Sequence, residues 1–104
     1  MNSIIENNKA SIDKLCLENR VEKLYVFGSV LNENFNENSD IDFIVDIKNE
    51  DPYQYTDNYF NLLFGFEDLF KREIDLLSLK SLKNPYFIKN VERNRKLIYG
   101  WVYI

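Results

Sequence analysis

The sequence predicts an α/β fold, and two observations support this prediction. Apolar strand-like runs alternate along the chain with longer segments of helical spacing. A predicted helix at 53–72 is followed at once by a strand at 73–79, which indicates a right-handed β-α-β crossover, although mixed sheets also occur in such folds. With 104 residues, of which 45% are apolar and 15% aromatic, the chain has the size and composition of one domain, and we expect residues 1–104 to form it.

The elements follow in chain order from spacing and turn signals. We predict a helix at 4–19, a strand at 21–27, a short helical turn at 29–33, a strand at 40–47, a helix at 53–72, a strand at 73–79 and a helix from 85 to about 99. The first segment contains no Pro or Gly, although its apolar residues fit helical spacing imperfectly. The last helix has Asn84 as its cap, Pro85 at its first position and Gly100 as its stop.

The helix at 53–72 carries a stripe of large apolar side chains. An aromatic stripe at this spacing more often faces a core than stacks on nucleic-acid bases, so we expect it to pack against the sheet. Its members are Tyr55, Tyr59, Leu62, Leu63, Phe66, Leu69 and Phe70. The apolar tail at 101–104 is expected to pack on the core or to join a partner interface.

Charge is unevenly distributed along a chain whose net charge is −4. The overall balance gives no basic footprint for nucleic acid, and we expect no direct nucleic-acid binding. Residues 80–99 nevertheless carry six basic side chains against the single acid Glu92, which indicates contact with a triphosphate or an acidic protein surface. A solvated helix face explains the same pattern.

Cysteine and histidine usage limits the possible chemistry. Cys16 is the single cysteine, so no internal disulfide can form, and this fits a reducing compartment. The absence of histidine excludes His-based triads and zinc sites with His ligands. The amino-terminal residues contain no long apolar run, so we expect neither a signal peptide nor a membrane span, and we expect a cytoplasmic location.

Two carboxylates open the predicted strand at 40–47. Because side chains alternate along a strand, Asp40 and Asp42 project from one face. The apolar residues between and after them face the core. Two carboxylates one pleat apart repel each other unless a cation lies between them, and Mg²⁺ is the divalent ion that best suits such hard oxygen ligands.

A third carboxylate, Asp75, interrupts the apolar strand at 73–79 in the same way. Charged groups within apolar strands cost stability unless they are paired or bind metal, and these two strands contain no basic residue. Three carboxylates from neighbouring strands could hold two metal ions roughly 3.5–4 Å apart, the clamp used for in-line displacement at phosphorus. Asp46 has the parity of Asp42 but lies about 13 Å further along the strand, so we interpret it as a strand-end residue.

Gly28 and Ser29 end the first strand and form a candidate anion site. Gly28 permits a tight turn and the close approach of a ligand to the backbone. Ser29 can then cap a short helix, whose free N–H groups and hydroxyl would face a phosphate. An anion site beside a metal site is what a nucleoside triphosphate requires.

The segment at 32–39 is rich in Asn and Glu and allows two interpretations. It is a solvated turn, since Asn tolerates unusual backbone angles, or it is a mobile flap beside the nucleotide. The two interpretations are compatible with each other.

Gly28-Ser29, ten intervening residues, the pair Asp40 and Asp42, and the later Asp75 together resemble the signature of the minimal nucleotidyltransferases, small members of the DNA polymerase β-like superfamily. The resemblance extends from the first helix to the closing LIYG segment. It implies a small mixed sheet of three to four strands flanked by helices. It also implies that Asp40 and Asp42 bind two Mg²⁺ ions and that Asp75 completes the site of the ion that activates the acceptor hydroxyl. Gly28 and Ser29 would hold the β- and γ-phosphates of ATP.

The resemblance extends to partners and activity. Stand-alone members of the family often pair with a HEPN-domain ribonuclease toxin, and some transfer AMP from ATP to a tyrosine of that toxin. The implied function is therefore that of a Mg²⁺-dependent protein adenylyltransferase acting as an antitoxin. Two alternatives remain open: a nucleotidyltransferase with a small-molecule acceptor, and a non-catalytic antitoxin that neutralises its partner by binding.

The sequence departs from the family pattern directly after the Gly-Ser pair. Many members carry Arg or Lys there, where it can reach the triphosphate, whereas this chain has the uncharged and acidic run at 30–33. Either Lys71, Arg72 or the basic residues near the carboxyl end take over this contact, or nucleotide affinity and rate are low. The departure slightly favours the binding alternative, and the three clustered acids argue against it.

Overall fold

A computed structural model describes residues 3–32, 35–48 and 51–100 of the chain. In chain order, its helices and strands are α1 (Ser3–Asn7), α2 (Lys9–Glu18), β1 (Val21–Phe27), β2 (Ile41–Ile47), α3 (Pro52–Phe70), β3 (Ile74–Ser78), α4 (Pro85–Asn94) and β4 (Lys96–Tyr99). Short 3₁₀ turns follow β1 at Gly28–Leu31 and β3 at Leu79–Ser81. No helix in these ranges is long and apolar enough to cross a membrane.

The strands form one mixed sheet in the order β3-β2-β1-β4. β1 is antiparallel to both β2 and β4, whereas β2 and β3 are parallel and are connected through α3. A parallel pair needs such a long connection because a tight turn can join only antiparallel strands. The predicted α/β class, the mixed four-stranded sheet and the β-α-β connection are thus confirmed.

One face of the sheet packs against α1, α2 and α3 to form the main core. Phe43 of β2 stacks on Phe66 of α3 with the ring centroids 4.7 Å apart, and both side chains are fully buried. The apolar stripe of α3 faces this core as predicted, with Leu62, Phe66 and Phe70 buried. Burying a side chain of this size contributes roughly 1.5–3 kcal/mol, so this face is the main source of hydrophobic stabilisation.

The opposite face of the sheet carries a smaller apolar cluster covered by α4. Tyr25, Ile44 and Val91 are its buried members, and Phe27 meets Phe87 edge to face with ring centroids 6.3 Å apart. Because side chains alternate along β2, the carboxylates of that strand share this face with Ile44. The basic helix α4 therefore lies on the same side of the sheet as the candidate acids.

The last helix is shorter than predicted. It ends at Asn94, and Lys96–Tyr99 is a strand paired with β1, so the prediction of a helix to about residue 99 was wrong. Arg95 between them has an extended backbone, with ψ at 153°, and Ile98 is buried against the core. Without β4, β1 would present an unpaired edge, so backbone pairing outweighs the helical spacing of this segment.

The first predicted helix is divided into two. Asn8 separates α1 from α2, and its side-chain amide donates to the carbonyl oxygen of Ile4 at 2.8 Å. Such local bonding by Asn competes with the helical hydrogen bonds and accounts for the break. The other boundaries agree closely with the predictions. The apolar tail at 101–104 lies outside the described residues.

Candidate functional site

Asp42 and Asp75 are brought together by the pairing of β2 with β3. They are register partners on these parallel strands, close enough for the Asp75 side chain to act on the Asp42 carboxyl. Asp42 is half-buried, whereas Asp75 is exposed on the edge strand. The structure therefore brings two of the three carboxylates singled out in the sequence into direct contact.

Asp40 lies one residue before β2 and is exposed. Its charge is close enough to raise the pKa of the Asp42 carboxyl. The strand begins at Ile41, whose N–H donates to the carbonyl oxygen of Glu73 at 3.3 Å. This bond holds the entry to β2 beside the entry to β3, so the third carboxylate lies next to the other two.

Several effects act together to raise the pKa of Asp42 to about 6. Burial is the largest, followed by the charge of Asp75 and then that of Asp40, and the hydrogen bond with Asp75 acts in the same direction. Burial removes water from the carboxylate, and each neighbouring negative charge repels it, so both disfavour ionisation. A cation among these oxygens would act in the opposite direction.

Gly28 packs directly against Asp42. Its φ of +77° is in the left-handed region, and a Cβ built at this position would lie 2.5 Å from Oδ2 of Asp42. Any residue with a Cβ would therefore strain the backbone and displace the carboxylate. We predicted that Gly28 admits a ligand close to the backbone, and in the structure the group in that position is the Asp42 carboxylate.

Ser29 lies within the 3₁₀ turn that begins at Gly28, and its carbonyl oxygen accepts from the N–H of Asn32 at 3.0 Å. The expectation that Ser29 caps a helix was wrong, because the turn begins one residue earlier and contains no side-chain cap bond. Phe27, which precedes the turn, is the register partner of Asp42. The turn is therefore at the carboxylate end of the sheet.

The chemistry of the cluster fits a divalent metal ion. Its donors are carboxylate oxygens, which Mg²⁺ prefers, and the pKa of Asp42 is raised by burial and then by the negative charges of Asp75 and Asp40. Among residues 3–32, 35–48 and 51–100, no three or more His, Cys, Asp or Glu side chains are arranged as a complete metal-ligand set. Asp40 and Asp75 are exposed, so both side chains have room to change rotamer when an ion binds.

Asp46 lies at the far end of β2 from the cluster. Its Oδ1 is 3.5 Å from Nζ of Lys80, which also donates to the carbonyl oxygen of Ile47 at 3.1 Å. The interpretation of Asp46 as a strand-end residue is consistent with this pairing.

Arg72 is a neighbour of the site whose contacts could not be read from the sequence. Its Nη1 donates to the carbonyl oxygens of Asn36 and Ser39, at 3.0 Å each, in the loop that leads to Asp40. The sequence signal was a basic residue between a long helix and the strand that carries Asp75. That signal does not reveal a contact with a loop more than thirty positions earlier.

The sheet places the acidic residues of β2 and β3 side by side, with the Gly-Ser turn that follows β1 at the same end. The sequence matches the family described as "Polymerase beta, Nucleotidyltransferase" over residues 10–101. The chain belongs to this family and is a nucleotidyltransferase.

Two archaeal proteins share much of the sequence. A protein of Methanocaldococcus jannaschii named "Putative protein adenylyltransferase MJ1379" is 34% identical over 80 residues, which are 77% of each chain. A second protein of that organism, "Putative protein adenylyltransferase MJ0128", is 32% identical over 80 residues, which are 77% of this chain and 76% of that one. The similarity therefore covers most of both chains.

Solved structures share the fold. A chain of a toxin–antitoxin crystallised with AMP-PNP superposes with a TM-score of 0.70 and 25% identity, over 90% of this chain and 74% of that one. A protein described as a minimal nucleotidyltransferase has a TM-score of 0.68 and 22% identity, over 92% and 95% of the two chains. A chain from the complex of a tri-AMPylated Shewanella oneidensis HEPN toxin with an MNT antitoxin superposes with a TM-score of 0.61 and 23% identity, over 92% of this chain and 72% of that one.

Proposed function

We propose that this nucleotidyltransferase moves AMP from ATP to a tyrosine hydroxyl of a HEPN toxin and thereby acts as its antitoxin. The observation that carries the catalytic part of the proposal is the register pairing of Asp42 with Asp75 beside Gly28. It concentrates carboxylate oxygens at the end of the sheet where a Gly-Ser turn could hold phosphates. The proposal for the acceptor depends on the relatives, two of which are named as protein adenylyltransferases.

The roles of the site residues follow from this arrangement. Asp40, Asp42 and Asp75 would hold two Mg²⁺ ions, which would neutralise phosphate charge and favour ionisation of the acceptor hydroxyl. Gly28 and Ser29 would hold the β- and γ-phosphates through backbone N–H groups and the Ser29 hydroxyl. Asp75 is the more exposed of the two register partners, so it is the one we assign to the acceptor side.

The proposed reaction is a single displacement at the α-phosphorus. The acceptor hydroxyl oxygen forms a bond to this phosphorus, and the bond from the phosphorus to the oxygen that bridges the α- and β-phosphates breaks. Pyrophosphate leaves, and the hydroxyl proton passes to Asp75 or through it to water. The products are the AMP-modified acceptor and pyrophosphate, so no further reactant is needed.

A HEPN toxin is the partner that the structural relatives favour. The toxin–antitoxin with AMP-PNP associates this fold with an ATP analogue, and the Shewanella oneidensis complex associates it with an AMPylated HEPN toxin. We propose ATP as the nucleotide and a reducing, cytoplasmic setting for the pair.

Inhibition of the toxin by contact alone is the second candidate function. It is favoured by the segment after Ser29, where Val30 is buried and Leu31 half-buried, so these positions offer the triphosphate no charge. Lys71, one of the basic residues proposed to compensate, forms an exposed ion pair with Asp68 at 2.9 Å. Weak nucleotide binding would leave a protein whose effect on the toxin depends on the interface.

Intact-mass spectrometry separates the two functions. The chain is mixed with ATP, Mg²⁺ and a purified HEPN partner, in parallel with the Asp40→Asn variant. We expect the partner to gain one or more AMP units only with the unmodified chain, and fragmentation to place them on tyrosine. Tight association without any gain in mass would instead establish inhibition by contact. Modification of a residue other than tyrosine would disprove the proposed acceptor.

A further inference from the structure

Arg72 links the loop before β2 to the start of β3. Its Nη1 donates to the carbonyl oxygens of Asn36 and Ser39 at 3.0 Å each. Its guanidinium carbon also lies 4.7 Å from the centroid of the Phe35 ring, within the range of a cation–π contact. One side chain thus contacts three of the five residues that precede Asp40.

The loop itself is a compact hydrogen-bonded turn. The N–H of Ser39 donates to the carbonyl oxygen of Asn36 at 3.1 Å, and the N–H of Asn36 donates to Oγ of Ser39 at 3.0 Å. The N–H of Asn38 donates to Oδ1 of Asn36 at 2.8 Å, which is an Asx turn. These bonds shape the turn, but they do not fix its position relative to the sheet. Arg72 supplies a connection to the rest of the molecule.

The backbone around Arg72 sets the position of its guanidinium. α3 ends with Lys71 in the left-handed conformation at φ 54°, which turns the chain into β3. On the far side of Arg72, the carbonyl oxygen of Glu73 accepts from the N–H of Ile41. Arg72 therefore lies between the left-handed end of α3 at Lys71 and the Ile41–Glu73 hydrogen bond, which joins the start of β2 to the residue before β3.

We propose that Arg72 is a positioning residue for the carboxylate site, a proposal that rests on the proposed function. By holding the turn at 36–39 against the start of β3, it fixes Asp40 relative to Asp42 and Asp75. Without this contact the turn loses two hydrogen bonds that hold it to the residue before Glu73 and β3. Asp40 would then sample several positions, and the average arrangement of the three carboxylates would be less suited to a shared cation.

The environment of Arg72 argues against the alternative role of triphosphate contact. The side chain is half-buried, and its Nε is buried without a hydrogen bond to any described residue. Nη1 already donates to two carbonyl oxygens, and the ring of Phe35 covers the guanidinium carbon. A phosphate would have to displace these contacts.

The planar guanidinium explains why this position requires arginine. Its donors lie in a fixed fork, and its flat face can pack on an aromatic ring, whereas a lysine ammonium is a point charge with neither property. A positioning role should therefore be lost in Arg72→Lys almost as fully as in Arg72→Ala. A charge-based contact with a triphosphate should largely survive in Arg72→Lys.

The first test uses the metal-free chain and does not depend on activity. Hydrogen exchange of the amides at 36–41 is compared among the unmodified chain, Arg72→Ala, Arg72→Lys and the control Lys71→Ala, whose side chain is 77% exposed. Because two hydrogen bonds are lost, we expect the amides at 36–41 to exchange at least roughly tenfold faster in both Arg72 variants and at an unchanged rate in the control. Unchanged exchange at 36–41 would overturn the proposal. Uniform acceleration over the whole chain would also overturn it, because that reports a global loss of stability.

The second test measures binding of Mn²⁺ by electron paramagnetic resonance, followed by ATP kinetics. We expect both Arg72 variants to bind Mn²⁺ several-fold more weakly and to lower kcat with little change in the KM for ATP. Unchanged Mn²⁺ affinity in Arg72→Lys together with a raised KM for ATP in Arg72→Ala would assign Arg72 to the triphosphate instead. If the unmodified chain transfers no AMP, the proposed function fails. The exchange and Mn²⁺ results still decide the role of Arg72.

Discussion

Asp42 and Asp75 are register partners on neighbouring parallel strands. Burial, then the charges of Asp75 and Asp40, raise the pKa of the Asp42 carboxyl to about 6, so in the metal-free chain this carboxyl is protonated below about that pH and ionised above it. This pairing, with Asp40 nearby, makes the ionisation state of the cluster depend on pH and on bound metal. The candidate site is thus also a source of instability in the metal-free chain.

Replacing Asp42 by asparagine should remove activity and stabilise the metal-free chain. The new side-chain amide carries no charge, so both the cost of burying a carboxylate and the repulsion from Asp75 and Asp40, which together raise the pKa of Asp42, would be relieved. After allowance for solvent screening we expect a gain of about 1 kcal/mol near neutral pH, which raises Tm by roughly 4–8 °C. Calorimetry in a chelator and the mass-based transfer assay measure the two effects.

Asp46→Asn is the matched control for this variant. Asp46 is on the same strand and the same face, but it pairs with Lys80 at the opposite end. We expect transfer to be retained and stability to fall by up to about 1 kcal/mol through loss of the ion pair. Equal loss of transfer in both variants would show that the effect of Asp42→Asn is not specific to the carboxylate cluster.

The stability of the metal-free chain should fall as pH rises from 3.8 towards about 6. The Asp42 carboxyl has a pKa of 3.8 in the unfolded chain and of about 6 in the folded chain. Between these two pH values the unfolded chain has lost the proton and the folded chain still holds it. The folded state binds more protons, so the free energy of unfolding decreases with pH until both states are ionised. Urea unfolding of the unmodified chain and Asp42→Asn at several pH values in a chelator isolates this contribution.

Magnesium should reverse this dependence. An ion bound by ionised carboxylates stabilises the folded state most above about pH 6, where no proton competes with it. We therefore expect the Mg²⁺-induced rise in Tm to grow between about pH 5 and pH 7.5 and to vanish in Asp42→Asn. A rise in Tm that is independent of pH would mean that the ion binds elsewhere.

Cys16 should be unreactive until the chain unfolds. It is fully buried in α2, and burial, with a smaller effect of Asp13, raises the pKa of its thiol from 9.0 to about 12. The thiolate is the reactive form, so burial lowers its population about a thousandfold in addition to blocking access. Iodoacetamide labelling followed by mass spectrometry should show no adduct on the folded chain and complete labelling in urea. Rapid labelling without denaturant would show that α2 opens locally.

The parts of the fold that depend on local pattern could be predicted from the sequence. The alternation around Asp40 and Asp42 gave the face of β2, and the stripe that includes Phe66 gave the core-facing side of α3. The helix prediction for 96–99 relied on Gly100 as the stop signal of the last helix. The state of this segment is decided by the edge of β1, which is distant in sequence and supplies backbone partners.

The candidate site also has parts that the sequence predicts and parts that it does not. The carboxylates stand out because charged residues are unusual in apolar strands, and the Gly-Ser pair stands out because it follows an apolar run ten residues before them. The contact of Arg72 with the turn at 36–39 could not be found, because it depends on how α3 ends and on which carbonyl oxygens the turn presents. The crowding of Gly28 by Asp42 likewise depends on strand register, which the sequence leaves open.

Gly28→Ala should abolish transfer at a moderate cost in stability. The new Cβ would lie 2.5 Å from Oδ2 of Asp42, so the carboxylate must move, and φ of +77° is unfavourable for alanine. We expect the left-handed conformation to cost about 1–2 kcal/mol. The displaced carboxylate should weaken Mn²⁺ binding as well as transfer. Chemical denaturation, Mn²⁺ titration and the mass-based assay measure the three effects.

Gly100→Ala separates backbone strain from damage to the site. Gly100 also has a left-handed backbone, with φ at +107°, but its Cβ would meet the carbonyl oxygen of Glu22 at 2.2 Å, at the opposite end of β1 from Gly28. We expect this variant to lose at least as much stability as Gly28→Ala, because backbone cannot yield as a side chain can, while the folded fraction keeps its Mn²⁺ affinity and its transfer rate. Gly28→Ala is measured at a temperature where it is folded. If it also keeps its Mn²⁺ affinity and its transfer rate, contact between Gly28 and Asp42 does not shape the metal site, and the proposed arrangement of the carboxylates is wrong.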